Sequence, residues 1–107
     1  MEMDWGKRLR EEGYLEFGGF RVELTLDNTF MELDYIPRII VYDGKTGRWH
    51  VLRNSIPKGE TLDEGWDNAV EVLRRIARGE EKPLFGDEGV AERFVRALKS
   101  LVDEDNP

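Results

Sequence analysis

The apolar pattern of this 107-residue chain changes its period once. From Tyr14 to Arg53, short runs that alternate apolar and polar side chains are separated by turn residues, which is typical of antiparallel strands. From Thr61 onward, apolar residues recur every three to four positions, as in helices that bury one face. This order predicts an α+β domain, an antiparallel β-meander of four to five strands covered on one face by two C-terminal helices.

The first hairpin turn is predicted at Phe17-Gly18-Gly19-Phe20, because glycine tolerates the positive φ angles of a type I′ turn. Asp27-Asn28 predicts the second turn, which pairs the strand ending at Leu26 with a strand over 29–35. In that register Val22 faces Leu33, and the apolar side chains of both strands share one face.

A last hairpin is predicted from a strand at Arg38 to Tyr42 and a strand at about Arg48 to Arg53, after Pro37 interrupts the ladder. The turn between them contains Gly47, which suits a left-handed backbone position. The length of this turn leaves the register open. In one register Trp49 and Val51 share a face with Val41, and in the other they share it with Ile40 and Tyr42.

Three helices are expected, and they complete a single domain over 1–107. A short N-terminal helix runs from about Asp4 to Glu12. The main helix covers about 61–78 and begins with the capping box Thr61-Leu62-Asp63-Glu64. The last helix covers about 88–102. The apolar stripe of the main helix comprises Leu62, Trp66, Ala69, Val70, Leu73, Ile76 and Ala77.

Composition restricts the chemistry of the chain. It has no cysteine and one histidine, which excludes disulfides, thiol nucleophiles and zinc sites built from cysteine. Gly44-Lys45-Thr46 resembles the end of a phosphate-binding P-loop, but Ile39 stands where that motif needs its first glycine. A hairpin turn is therefore the interpretation of this segment. We expect a protein that is not an enzyme and has no cofactor.

Location and source are also suggested by composition. No run of about 18 apolar residues occurs, and the N-terminus lacks the apolar segment of a signal peptide, so a soluble cytoplasmic protein without membrane contact is expected. The chain is 36% charged and contains no glutamine, which is typical of proteins from thermophiles.

One segment reverses the sign of this acidic chain, whose net charge is −7. The stretch from Arg38 to Lys58 carries five basic residues and one acid, Asp43. Aromatic rings lie among these cations, and cations combined with π-faces are what proteins use to bind single-stranded nucleic acid. The candidate nucleic-acid-binding residues are Arg38, Tyr42, Lys45, Arg48, Trp49, His50 and Arg53.

Two other groups of residues have alternative interpretations. His50 is the only histidine, so it is either a structural strand residue or a stacking or phosphate-binding group. Glu23, Glu32 and Asp34 are expected on the polar face of neighbouring strands, with Glu23 opposite Glu32 and Arg21 near enough to compensate. Three carboxylates suit a divalent metal, but a solvated face is the default interpretation, and no metal site is predicted.

Three features of the chain are the meander from Tyr14 to Arg53, the capped helix from Thr61 to Arg78 and the composition. In these features the chain resembles the ThermoDBP-related single-stranded DNA-binding proteins of hyperthermophilic archaea. The same arrangement resembles coactivator folds in which a sheet is followed by a helix and which bind single strands. This resemblance implies that nucleic acid lies in a cleft with apolar and basic walls, which the hairpin from Arg38 to Arg53 would supply.

Two functions are therefore expected as alternatives. The first is a non-enzymatic protein that binds single-stranded nucleic acid through the basic and aromatic hairpin. The second is a regulatory module that self-associates or binds a protein partner through its sheet face or terminal helices, since an acidic surface with few reactive groups suits protein contact. Exposure of Trp49 would favour the first.

Overall fold

A computed structural model of the chain describes residues 4–27 and 36–105. Within these ranges the strands form one sheet in the order β1-β2-β3-β4, and every neighbouring pair is antiparallel. The predicted α+β class and meander are thus confirmed. The elements are α1 (Trp5–Glu12), β1 (Tyr14–Phe17), β2 (Phe20–Asp27), β3 (Ile36–Asp43), β4 (Arg48–Leu52), α2 (Leu62–Ala77) and α3 (Glu88–Asp105).

The first hairpin forms as the glycine pair predicts. Phe17 lies opposite Phe20, and Leu15 lies opposite Val22. Gly18 and Gly19 have φ angles of 53° and 84°, which side chains with a Cβ rarely adopt.

The predicted partner of β2 is wrong. β2 pairs with β3, so that Val22 lies opposite Val41 and Glu23 lies opposite Ile40, and not opposite Leu33 and Glu32. Pro37 lies inside β3, opposite Leu26, and does not interrupt the ladder. The strand predicted over 29–35 falls outside the described residues.

The β3–β4 hairpin settles the register that the sequence left open. Tyr42 lies opposite Trp49 and Ile40 lies opposite Val51, so these four side chains share one face of the sheet. The turn spans residues 44–47, and Gly47 has the expected left-handed φ of 72°.

All three helices pack on the other face of the sheet. α1 contacts β1, β2 and both other helices, while α2 contacts β3 and α3 contacts β1. The N-terminal helix is therefore part of the covering layer and buries Trp5 and Leu9, whereas the sequence predicted a layer of two C-terminal helices. The aromatic centre of this layer is Phe94, whose ring lies 5.5 Å from that of Phe20 and 5.2 Å from that of Phe85.

The apolar stripe of α2 is buried only from its second turn onward. Ala69, Leu73 and Ile76 are fully buried, but Trp66 is half-buried and Leu62 is 43% exposed. The first turn meets the sheet through Gly65, where an added Cβ would lie 2.8 Å from Cγ of Pro37. Because a glycine makes this approach, the larger side chains of the first turn remain near the surface.

The Thr61 hydroxyl caps α2, and we expect Thr61→Ala to lower the free energy of unfolding by about 1 kcal/mol. Its Oγ1 accepts a hydrogen bond from the Glu64 amide at 3.2 Å, which satisfies a donor that has no partner inside the helix. Chemical denaturation of the variant checks this. Thr61→Ser retains the hydroxyl and should match the wild type, whereas equal loss in both variants would contradict a capping role.

Candidate functional site

The face of the sheet opposite the helices carries a continuous set of outward side chains, which we call the open face. Among the described elements, no helix packs on it. Three rows of paired residues cross the strands there. The first row consists of Glu16, Arg21, Tyr42 and Trp49, the second of Tyr14, Glu23, Ile40 and Val51, and the third of Thr25 and Arg38.

Tyr42 and Trp49 form the aromatic centre of the open face. Their ring centroids lie 5.1 Å apart, and the ring planes are inclined by 54°. Trp49 is 51% exposed, while Tyr42 is half-buried. The tyrosine thus supports the tryptophan from one side, and a large part of the indole surface stays available to a planar ligand.

The acidic side chains Glu16 and Glu23 of the open face share one arginine, Arg21, which compensates one of their two negative charges. Arg21 bonds Glu23 through Nε at 2.7 Å and Glu16 through Nη1 at 2.6 Å, and its guanidinium lies 4.1 Å from the centroid of the Tyr14 ring. The hydrogen bond that Arg21 donates to Glu23 is the main cause that raises the pKa of Arg21. The β1 and β2 side of the face is therefore an internally paired cluster.

Several cations lie on or beside the β3 and β4 side of the open face. Arg48, at the start of β4, and Arg53, directly after it, are exposed, and neither side chain makes an ion pair with a described residue. Arg38 lies on the open face itself and is half-buried. Lys45 is exposed in the turn between the strands. The aromatic surface thus lies between two exposed cations, Lys45 and Arg53, that make no ion pair with a described residue.

His50 does not join the other candidates. It lies opposite Val41 in the face that the helices cover, with its ring 5.8 Å from that of Phe85. Its Nε2 is buried and has no hydrogen-bond partner among the described groups. The alternation of β4 places both His50 and Arg48 on the face opposite to Trp49, so five of the seven candidates lie on the open face or beside it.

The single acid of the basic segment has a structural role that the sequence analysis did not find. Asp43 is 1% exposed and accepts hydrogen bonds from Nη1 and Nη2 of Arg93 at 3.0 and 2.6 Å. The Lys45 amide and the Thr46 hydroxyl donate to the same carboxylate at 3.0 and 3.1 Å. These bonds, foremost those from Arg93, hold the pKa of Asp43 well below its usual range.

The structure gives no support for a metal site or a P-loop in its described part. Glu23 is paired with Arg21, and no group of three acidic or histidine side chains is close enough to hold a metal ion among residues 4–27 and 36–105. The segment Gly44-Lys45-Thr46 forms the β3–β4 turn, in which the Gly47 amide donates to the Asp43 carbonyl at 2.8 Å.

These features define a small α+β domain with a helical layer on one face of its sheet and an aromatic, cation-bordered face on the other. No protein-family model, curated protein or solved structure matches the chain. No helix in the described ranges is long and apolar enough to cross a membrane. The functional argument therefore depends on the geometry of the open face.

Proposed function

We propose that the protein binds single-stranded nucleic acid, without catalysing a reaction, through the β3 and β4 side of the open face. The exposure of Trp49 carries this proposal, because an indole that is 51% exposed on an uncovered sheet retains a surface for stacking. Bases stack on aromatic rings with little dependence on sequence, since every base has a π-face.

The surrounding charges fit the backbone of the same ligand. Arg38 lies on the open face and Arg53 directly follows β4, at positions suited to phosphate contact, whereas Arg48 begins β4 on the opposite face. Glu16 and Glu23 lie toward the opposite edge of the sheet, and Arg21 pairs with both. A strand of nucleic acid that follows β3 and β4 therefore lies on the more basic side of the open face, away from these two acids.

The test is a fluorescence titration with a mixed-sequence, single-stranded oligonucleotide at several salt concentrations, beside a duplex of the same sequence. If Arg38 and Arg53 each contact a phosphate, log K should fall with log salt concentration with a slope of about −1.4. The duplex should bind more weakly, because paired bases cannot stack on Trp49. No binding of the single strand at low salt would refute the proposal.

A protein-interaction module is the alternative, and the apolar side chains of the second row favour it. Val51 is 49% exposed and lies beside half-buried Ile40, so the open face also has an aliphatic patch that nucleic acid does not require. Sedimentation velocity at increasing concentration separates the two functions. Self-association that Val51→Lys abolishes, without any nucleic-acid binding, would favour the alternative.

A further inference from the structure

A cleft lies at the end of the sheet where the two hairpin turns meet α3, and we call it the turn-end cleft. Its volume is about 370 Å³. Gly18, Gly19 and Phe20 line it from the first hairpin, Asp43 and Lys45 from the second, and Arg93, Arg96, Ala97 and Ser100 from α3. The lining thus contains three cations and one acid, in a protein whose overall charge is negative.

Arg93 is held in place in the wall of this cleft. Asp43 binds both of its terminal nitrogens, and the guanidinium carbon lies 5.6 Å from the centroid of the Phe20 ring. A guanidinium has five N–H donors, and these two bonds use two of them. Because the side chain is 28% exposed, Arg93 is an oriented cation that can still donate to a ligand.

The other two cations of the cleft are available. The side chain of Lys45 makes no ion pair with a described residue, and its turn is fixed by the bond from its own amide to Asp43. Arg96 lies 4.0 Å from Glu92, and both side chains are more than 70% exposed, so this pair contributes little. The charge of Asp43 is already compensated by Arg93, which leaves the cleft net positive.

The turns that form the floor are fixed to each other and to α3. The Gly44 amide donates to the Gly19 carbonyl at 2.9 Å, which joins the two hairpins. A Cβ on Gly18 would lie 2.6 Å from Cβ of Ala97, so this turn fits closely against the helix. The cleft is therefore built before any ligand arrives, and a ligand loses less binding energy in ordering it.

A second shallow depression connects the turn-end cleft to the open face. It shares Gly18, Gly19 and Phe20 with the cleft and is also lined by Tyr42, whose ring packs on Trp49. We infer that the turn-end cleft binds a phosphate group of the strand whose bases stack on Trp49. This inference rests on the proposed function and extends the binding path from the sheet to α3.

The cleft itself is tested with inorganic phosphate, which needs no stacking. In ¹H–¹⁵N spectra, phosphate should cause saturable shifts of the Gly19, Lys45 and Arg93 amides, at constant ionic strength. The variant Lys45→Ala/Arg96→Ala should bind phosphate roughly tenfold more weakly, since it lacks two exposed ion contacts. Lys82→Ala/Lys99→Ala removes the same charge from exposed positions outside the cleft and should behave as the wild type.

Absence of saturable shifts at these amides, or equal weakening in both double variants, would overturn the inference whatever the open face binds. The second arm uses a single-stranded oligonucleotide, for which Lys45→Ala/Arg96→Ala should reduce the salt slope by about 0.7, the value for one lost phosphate contact. If the protein binds both phosphate and oligonucleotide but the salt slope of the variant is unchanged, the bound strand does not contact the cleft. The inference would then be wrong, and the proposed function would be unaffected.

Discussion

Trp49→Ala is expected to weaken binding of single-stranded nucleic acid by one to two orders of magnitude, because base stacking on an aromatic ring is worth about 1 to 3 kcal/mol. The fold should survive the change, since the indole is 51% exposed and lies on the uncovered side of the sheet. Adding Tyr42→Ala should weaken binding further, because the Tyr42 ring supports the indole at 5.1 Å. Fluorescence anisotropy of a labelled oligonucleotide measures both variants.

Two variants separate stacking from a general loss of apolar surface. Leu84→Ala removes a side chain of similar exposure, 53%, from a loop outside the open face, and should leave affinity unchanged. Trp49→Phe keeps a smaller π-face and should retain most of the affinity. Equal affinities for the wild type and Trp49→Ala would refute stacking on Trp49 and favour a protein partner for this face.

The elements whose signals are local could be predicted from the sequence. Gly18 and Gly19 determine the first hairpin because few other residues adopt their backbone angles, and the register of that hairpin follows directly. The capping residue Thr61 likewise marks the start of α2 to within one residue. In both cases the residues that determine the structure are neighbours in the chain.

The partner of β2 could not be predicted in this way, because two segments compete for the same edge. Residues 29–35 alternate as a strand should and follow a turn signal, so the local pattern is satisfied. The segment that pairs, Ile36–Asp43, buries Ile39 and Val41 completely and carries fewer acidic residues. The choice is made by tertiary burial, which strand propensity alone does not measure.

The candidate site could be predicted only in part, because the faces of its residues also depend on tertiary structure. The segment from Arg38 to Arg53 was recognisable from its charge and aromatic content, but the faces of Trp49 and His50 depend on the register of the β3–β4 turn. The pairing of Asp43 with Arg93 joins residues that are 50 positions apart, in different types of element. No spacing rule connects them, so the sequence offered no signal for it.

Asp43→Ala is expected to lower the free energy of unfolding by about 3 kcal/mol at pH 7, as for other buried ion pairs that lose one partner. The carboxylate is 1% exposed and accepts four hydrogen bonds, two of them from Arg93, and all four are lost in the variant. Urea denaturation measures the effect. Asp103→Asn removes an exposed carboxylate near the end of α3 and should change stability by less than about 0.5 kcal/mol.

The pair of Asp43 and Arg93 also predicts how the free energy of unfolding depends on pH, and the sign follows from the lowered pKa of Asp43. A carboxyl group whose pKa is lower in the folded state than in the unfolded state stabilises the fold when the pH is above the unfolded-state pKa, which is about 3.9 for aspartate. This contribution is lost as the pH falls toward the folded-state pKa. The difference in unfolding free energy between the wild type and Asp43→Ala should therefore be constant from pH 7 to about pH 5 and narrow below about pH 4.

A double-mutant cycle with Arg93→Met isolates the pair from its surroundings. The double variant Asp43→Ala/Arg93→Met should be less destabilised than the sum of the single variants, because the second change removes a group that has already lost its partner. Additive effects would show that Asp43 stabilises the turn through Lys45 and Thr46 and not through Arg93, and a wild-type advantage that stays the same from pH 7 to pH 3 would contradict the lowered pKa of Asp43. A favourable coupling at pH 7 that persists at pH 4, where the lowered pKa keeps Asp43 ionised in the fold, would establish the ion pair as the link between the β3–β4 hairpin and α3.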